Sequence, residues 1–286
     1  MNPPHNQRPV LITGCSTGIG LCVARGLHDR GYFVVASARK AEDVQRLRAE
    51  HGLACVQLDL DDSASIARAV EETLELTGGK LFALFNNGAY GQPGAVEDLS
   101  RDVLRAQFET NLFGTMELTN AIIPVMRRQG YGRIVMDSSI LGFITLPFRG
   151  AYNASKFALE GISDTLRLEL TGSGIHVSLI EPGPIVSRFR ANAFAMYQKN
   201  IDVERSPHRD TYRKMENRLT KQGPAAPFTL PPEAVLEKLI HALEARRPRP
   251  RYYVTFPSHL FGTLKRLLTT RALDRFLLRV SRGENR

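Results

Sequence analysis

Tyr152-Asn153-Ala154-Ser155-Lys156, with Ser138-Ser139 about one strand and loop upstream, is the stretch of this 286-residue chain best suited to chemistry. A tyrosine and a lysine four positions apart on a helix lie one above the other on the same face. A free phenol has a pKa of about 10, which makes it a poor proton-transfer partner at neutral pH. An ammonium held beside it favours the phenolate; reaching a pKa of about 7 takes roughly 4 kcal/mol of differential stabilisation. In a partly dry cleft one fixed cation and a second nearby charge can supply that. A serine hydroxyl can orient the same oxygen. These residue types suit acid/base work on an alcohol–carbonyl pair. Tyr-x-x-x-Lys also occurs on helices where the lysine is merely solvated, so the pair takes its meaning from the elements that position it.

The first such element is Val10-Leu11-Ile12-Thr13, which reads as a buried strand. Gly14-Cys15-Ser16-Thr17-Gly18-Ile19-Gly20 follows, and an amphipathic helix then runs through Leu21, Val23, Ala24 and Leu27 to a stop at Gly31. Strand, glycine turn and helix N-terminus together form a seat for phosphate: free N–H groups and the positive dipole end face an anion, and missing Cβ atoms let it approach. The spacing is Gly-x-x-x-Gly-x-Gly, and glycines in a loop also serve as plain turn formers.

Further strands are expected at Tyr32–Ser37, Leu53–Leu58, Leu81–Asn86, Arg133–Asp137, Ile175–Ile180 and Tyr252–Thr255, with helices between them, including Ser63–Thr77, Ser100–Gln129 and Ala151–Thr171. No internal repeat or low-complexity linker interrupts the alternation. The fold class this implies is α/β, a single Rossmann-type doubly wound parallel sheet with helices on both faces and a ligand crevice at the strand carboxyl ends. Gly14, Arg39, Asp59, Asn86, Ser139 and Pro182 each follow a strand, so one crevice gathers them all.

Taken together, Thr13-Gly14-x-x-x-Gly18-x-Gly20, Asn86-Asn87-Gly88-Ala89, Asn111, Ser139, Tyr152, Lys156 and Pro182-Gly183 resemble, in order and spacing, the short-chain dehydrogenases/reductases. The resemblance covers roughly residues 8–190. The run from Gly150 to Gly161 is similar to the branch holding 17β-hydroxysteroid and retinol dehydrogenases and bacterial NADP-dependent aldehyde reductases. One departure is the order Asn-Asn-Gly-Ala, where that family usually has Asn-Asn-Ala-Gly. The resemblance implies Tyr152, Lys156, Ser139 and Asn111 as catalytic residues, with Asn111 holding a water next to Lys156. It implies a nicotinamide cofactor held by Gly14, Ser16, Thr17, Gly18, Ile19, Gly20, Asn86, Gly88, Pro182, Gly183 and Ile185, with Tyr152 and Lys156 at its ribose. Asp59 would bond the adenine amino group beside the Leu60 backbone, although a loop aspartate there could instead cap the helix near Ser63. Ser139 is preferred to Ser138, whose side chain would point to the opposite face of a continuing strand.

Cofactor choice is read at the end of the second strand. Ala38 stands where an acidic residue would bond both ribose hydroxyls and repel a 2′-phosphate. Arg39 follows and can pair with that phosphate, with Lys40 adding to the field, unless both are ordinary loop charges. The expected cofactor is NADP(H).

Substrate signals are apolar. Ile140 to Phe148 carries no fixed charge, and the insertion after Val186 contains Phe189, Phe194, Met196 and Tyr197. A hydrophobic carbonyl such as a long-chain aldehyde, steroid or retinoid suits such walls, with Leu141, Phe143, Tyr90 and Phe194 as candidate substrate contacts. The same aromatics could instead form the core of a helical substrate lid over residues 188–230.

Charge is uneven. Residues 1–200 hold 20 Lys+Arg against 20 Asp+Glu, and residues 201–286 hold 18 against 9, so the last third carries the whole +9. Over residues 257–282, Leu260, Phe261, Leu264, Leu267, Leu268, Leu273, Phe276 and Leu277 alternate with cations, a basic amphipathic C-terminal helix. It suits either an anionic membrane surface or packing on the protein itself. Nucleic acid finds no recognisable binding motif. Cys15, Cys22 and Cys55 have neither disulfide-framework nor zinc spacing, so no metal is expected. The polar start, Met1 to Pro9, lacks a signal-peptide core, and the expected place is cytoplasmic, possibly peripheral to the inner face of a membrane. The resemblance also implies a homo-oligomer. Two other classes are open, a non-catalytic NADP(H) sensor and a membrane-associated interaction protein.

Overall fold

The computed structural model of the chain describes residues 8–221, 223 and 226–284. The expected polar start and part of the expected lid, residues 1–7 and 222, 224 and 225, lie outside them. Seven parallel strands form one sheet: β1 (Pro9–Ile12), β2 (Phe33–Ala38), β3 (Ala54–Gln57), β4 (Ala83–Asn86), β5 (Gly132–Asp137), β6 (Ile175–Glu181) and β7 (Arg251–Tyr253). Their order is β3-β2-β1-β4-β5-β6-β7. The chain winds outward from β1 in both directions, so the crevice opens between β1 and β4, where the order reverses.

Strand residues alternate between two cores because successive side chains point to opposite faces. Val10, Ile12, Val34 and Ala36 pack on one face with Val23 and Leu27 of α1 (Gly18–Asp29) and Leu239 and Leu243 of α9 (Glu233–Glu244). On the other, Leu11, Val35, Leu84, Ile134 and Leu179 meet Ile66 of α3 (Ser63–Leu76), Ile122 of α5 (Thr115–Gln129) and Leu166 of α6 (Gly150–Glu169). Between β2 and β3 lies α2 (Ala41–His51).

The helix expected over Ser100–Gln129 is not uniform. It begins as α4 (Arg101–Phe108), widens into a π-helix at Glu109–Gly114 and returns to α-geometry in α5. A backbone Cβ at Gly114 would collide with the Leu60 carbonyl, so the bulge brings this helix hard against the loop after β3. Such single-turn widenings mark functional positions more often than ordinary helix, and Asn111 lies in this one.

Two additions complete the molecule. After β6, α7 (Phe189–Asn200) and α8 (Arg209–Thr220) share a small core of Ala193, Tyr197, Tyr212, Met215 and Leu219. Tyr212 ties this pair down: its hydroxyl donates to Asp98 Oδ2 at 2.6 Å and accepts from the Ala95 N–H at 2.8 Å. After β7, the expected C-terminal helix is two, α10 (Phe256–Leu267) and α11 (Thr270–Glu284). Their apolar residues Phe261, Leu273, Phe276, Leu277 and Val280 pack on Ile140, Leu141, Ile144 and Leu146. Of the two readings of the tail, packing on the protein is the one the structure adopts.

Candidate active site

The turn Thr13–Gly20 is built by its glycines. Gly14 has φ +72° and Gly18 +60°, in the left-handed region that side chains disfavour. A Cβ on Gly20 would fall on the Gly14 carbonyl oxygen. Thr17 precedes α1 without capping it through its side chain, and the first turn carries no acidic residue. The N–H groups at that helix end therefore face the cleft as an anion site. Thr13 and Asn87, which sequence reasoning left without a role, knit this turn to the end of β4. The Thr13 hydroxyl accepts from the N–H groups of Asn87 and Gly88 at 2.9 and 2.7 Å, and the Asn87 amide donates to the Thr13 and Gly14 carbonyls. Their motif context was the available signal. The departure at Gly88 has a local counterpart: a methyl there would meet Leu60 Cδ1 and Thr13 Oγ1 at 3.2 Å.

A cleft of about 1410 Å³ runs from this turn across the strand ends. Gly14, Ser16, Thr17, Gly18, Ile19, Gly20, Gly88, Ser139, Tyr152, Lys156, Pro182, Gly183, Ile185 and Leu141 all line it. The shape and donors fit a dinucleotide: a cradle that Cβ atoms would fill, a free helix N-terminus, and a tyrosine and lysine further along.

Tyr152 is held in α6 with its ring edge-on to Phe189, centroids 5.3 Å apart. Ser139 lines the same cleft, where its hydroxyl works to lower the phenol, and it caps the short helical turn Ile140–Gly142 by accepting from the Leu141 N–H. Ser138 turns away, its hydroxyl toward Glu160. Lys156 is buried, its Nζ 5.8 Å from the Tyr152 ring centre and donating to the Asp137 carbonyl at 2.6 Å. The sequence-based expectation that Lys156 lowers Tyr152 toward neutrality differs from what the chain alone provides. Burial dominates and pushes the phenol up, with the Ser139 hydroxyl and Arg149 opposing it. Burial likewise lowers Lys156 against the charges of Asp137 and Glu160. Asp137, which sequence reasoning passed over, is buried in the cleft wall and pushed up to about 7 by desolvation, with Lys156 opposing.

Asn111 stands behind this pair rather than in the cleft. Its side chain brackets Tyr90, accepting from the Tyr90 N–H at 3.1 Å and donating to its carbonyl at 2.9 Å, and it donates to Ser155 Oγ at 3.1 Å. Asn86 faces the helix layer, its amide on Thr119 Oγ1 at 2.9 Å. Asp59 accepts from the Asp61 N–H at 3.1 Å, while Asp62 is the residue that caps α3. Leu60 is buried against Gly88. Arg39 and Lys40 are exposed at the end of β2, with Lys40 paired to Glu42.

Three expected substrate contacts lie elsewhere. Burial, with the charge of Asp61 adding to it, pushes the Tyr90 hydroxyl up to about 12; its ring does not line the cleft because the Asn111 bracket directs its backbone. Phe143 packs on Tyr253, centroids 5.4 Å apart, beyond the turn that Ser139 caps. Phe194 stacks on Tyr197 inside the lid core. The apolar wall is instead Ile140, Ile144, Leu146 and Phe189, closed by Leu260, Phe261, Phe276 and Val280 of the two C-terminal helices. Nothing in a sequence window announces that a tail folds back over a loop more than a hundred residues earlier.

Comparison with known proteins places this geometry in context. The pattern of the short chain dehydrogenase family matches residues 8–198. An uncharacterized oxidoreductase, YbbO, of Escherichia coli (strain K12) is 45% identical over 271 residues, covering 95% of this chain and 94% of its own. The 17-beta-hydroxysteroid dehydrogenase type 1 of Homo sapiens is 35% identical over 257 residues, 86% of this chain and 77% of its own. A short-chain dehydrogenase of Streptomyces avermitilis superposes with a TM-score of 0.73 at 27% identity, over 96% of this chain and 98% of its own.

Proposed function

The chain belongs to the short-chain dehydrogenase family, oxidoreductases of the alcohol–carbonyl pair, and on that premise we propose that it is an NADP(H)-dependent reductase of hydrophobic carbonyl compounds. The observation that carries this is Ser139, Tyr152 and Lys156 lining one cleft that continues from the glycine turn to apolar walls.

When bound, the cofactor supplies a hydride to the carbonyl carbon. The phosphate seat at Gly14–Gly20 and the α1 N-terminus would hold its pyrophosphate, and Pro182, Gly183 and Ile185 line the same cleft. Tyr152 gives its proton to the substrate oxygen as that oxygen gains charge. Burial keeps the phenol protonated, which is the form a reduction uses. Ser139 orients the hydroxyl and donates to the same oxygen. Lys156, fixed by the Asp137 carbonyl, brings a cation to the phenol and the ribose, offsetting charge left on Tyr152 after transfer. Asn111 is a positioning residue, since it holds the Tyr90 backbone and Ser155 at the foot of the Tyr152 turn. Ala38 and Arg39 support NADP(H) over NAD(H), because no carboxylate at the end of β2 repels a 2′-phosphate and a guanidinium stands beside it.

The test is cofactor oxidation with long-chain aldehydes, a steroid ketone and retinal, run with NADPH and NADH in parallel. Turnover should rise with apolar chain length and favour NADPH, and Arg39→Ala should weaken NADPH about tenfold while leaving NADH unchanged. Equal use of both cofactors by the wild type contradicts the NADP(H) assignment; absence of turnover with every carbonyl, in either direction, contradicts the enzyme.

A further inference from the structure

The cleft is apolar within but cationic at its rim. Lys214 and Lys221 reach it from the lid side, one within α8 and one just past its end, and Arg279 reaches it from α11. All three are exposed, and among the described residues none has an acidic partner. The one carboxylate among the cleft-lining residues described is Asp137, buried beside Lys156. A charged surface normally interleaves both signs, and several of this chain's other arginines do so, pairing with neighbouring carboxylates as Arg30 does with Glu244 and Arg205 with Asp202. A rim with cations alone is a local field for an anion.

The dinucleotide does not account for these charges. Its 2′-phosphate belongs at Arg39, after β2, whereas Arg279 rides on the loop after β5, through Phe276, Leu277 and Val280 packed on Ile140–Leu146. β2 and β5 are three strand spacings apart, about 14 Å. Its pyrophosphate belongs at the glycine turn, where Ser187 crowds Gly18 and the neighbouring Arg188 also lines the cleft. Lys214 lies on α8, two residues past Tyr212, whose ring packs on Phe148 at 5.6 Å, so the helix that carries it lies over the loop after β5. Arg279 and α8 therefore stand over the substrate half of the cleft, and Lys221, just past the end of α8, lines the same cleft. Between them and Tyr152 the walls are Leu141, Ile144, Phe261 and Phe276.

We propose that the substrate is an anionic amphiphile: a long-chain carbonyl compound whose chain lies along that apolar wall, with its C=O at Tyr152 and a carboxylate-type anionic group at Lys214, Lys221 and Arg279. This rests on the reductase reading and adds the charge of the far end. The reaction is balanced as before: the C=O bond is reduced to CH–OH, its carbon taking hydride from NADPH, which becomes NADP, and its oxygen taking the Tyr152 proton. Each exposed charge pair contributes modestly, up to about fivefold in affinity, so two or three together give a preference of about tenfold, lost as salt screens it.

The experiment compares an ω-oxo fatty acid with its methyl ester, of equal chain length and each at saturating NADPH, in wild type and in a Lys214→Gln/Arg279→Gln variant. The acid should show a kcat/KM about tenfold above the ester at low ionic strength. That ratio should fall toward one in about 0.5 M salt, and also in the double variant. The salt series needs no variant, so a folding defect cannot mimic it. An ester reduced as well as the acid, or an acid preference insensitive to salt and to the double substitution, overturns the anionic-substrate inference while leaving the reductase intact. If neither compound nor any neutral aldehyde is reduced, the reductase reading itself falls and takes this inference with it.

Discussion

Replacing Asp137 by asparagine isolates a charge that the fold buries at the heart of the site. Asp137 ends β5, is 8% exposed, and its Oδ1 has no hydrogen-bond partner among the described residues. Desolvation pushes its carboxyl from 3.8 up to about 7, with Lys156 opposing. Between those two values the folded chain keeps a proton that the unfolded chain has released. Stability therefore falls as pH rises through that window and is level above it. At about 1.4 kcal/mol for each pH unit the full window is worth about 4 kcal/mol, of which roughly 2–3 kcal/mol lies between about pH 5 and pH 8. Asparagine has nearly the same volume and never ionises, so its variant should lack this part of the slope. Urea unfolding of both proteins at about pH 5 and about pH 8 measures it. Glu160 and Glu181 titrate alike in both proteins and cancel in the comparison. Asp137 also raises Lys156 against burial, so the variant's basic limb of turnover should move to lower pH. Superimposable stability slopes in wild type and variant would refute the burial of an ionisable Asp137.

Three further outcomes follow from separate parts of the molecule. Gly20→Ala puts a methyl on the Gly14 carbonyl oxygen; NADPH affinity by fluorescence titration should drop about tenfold or more, with the circular dichroism spectrum retained. Arg251 gathers Glu160, Glu181 at 3.0 Å and Asp164 at 2.5 Å, joining β7 to β6 and α6. Arg251→Met leaves the buried Glu160 and Glu181 unpaired and should cost about 3–5 kcal/mol at about pH 9, where both are ionised. The loss should shrink as pH falls toward neutrality and below, because burial pushes Glu181 up to about 8 and also raises Glu160, so both carboxyls take protons. Leu277 is 4% exposed in the contact of α11 with the site loop; Leu277→Ala should cost about 2–3 kcal/mol in urea unfolding and raise KM for long-chain substrates. An unchanged unfolding midpoint would mean that α11 is not docked.

What the sequence made legible was whatever spacing enforces locally. Tyr152 and Lys156 share a helix face by periodicity, and Gly14, Gly18 and Gly20 are demanded by a turn that no other residue fits. The parallel, doubly wound sheet needed only the β–α alternation, whereas the order of its strands came from the structure. Side-chain direction outside regular elements was not legible. Tyr90, Phe143 and Phe194 are apolar residues near site motifs, yet a bracketing amide, a capped turn and a lid core decide where each points. The π-widening at Asn111 has no periodic signature, because one extra residue per turn vanishes in an averaged pattern. The tail's amphipathic face was visible, but its partner was not. Both a membrane and the Ile140–Leu146 loop satisfy the same apolar stripe, and only tertiary packing chooses. Among the described residues, no helix is long and apolar enough to cross a membrane.

The central claim is that Tyr152 moves the proton while other residues bind. Single-turnover oxidation of bound NADPH by a long-chain aldehyde, wild type against Tyr152→Phe, tests it with binding and chemistry separated. The loss should be about 10²–10⁴-fold in the hydride-transfer rate, because the proton donor is gone. The NADPH dissociation constant should stay within about twofold, because the glycine turn is untouched. A phenylalanine variant that reduces the aldehyde at the wild-type rate would contradict the assignment of Tyr152.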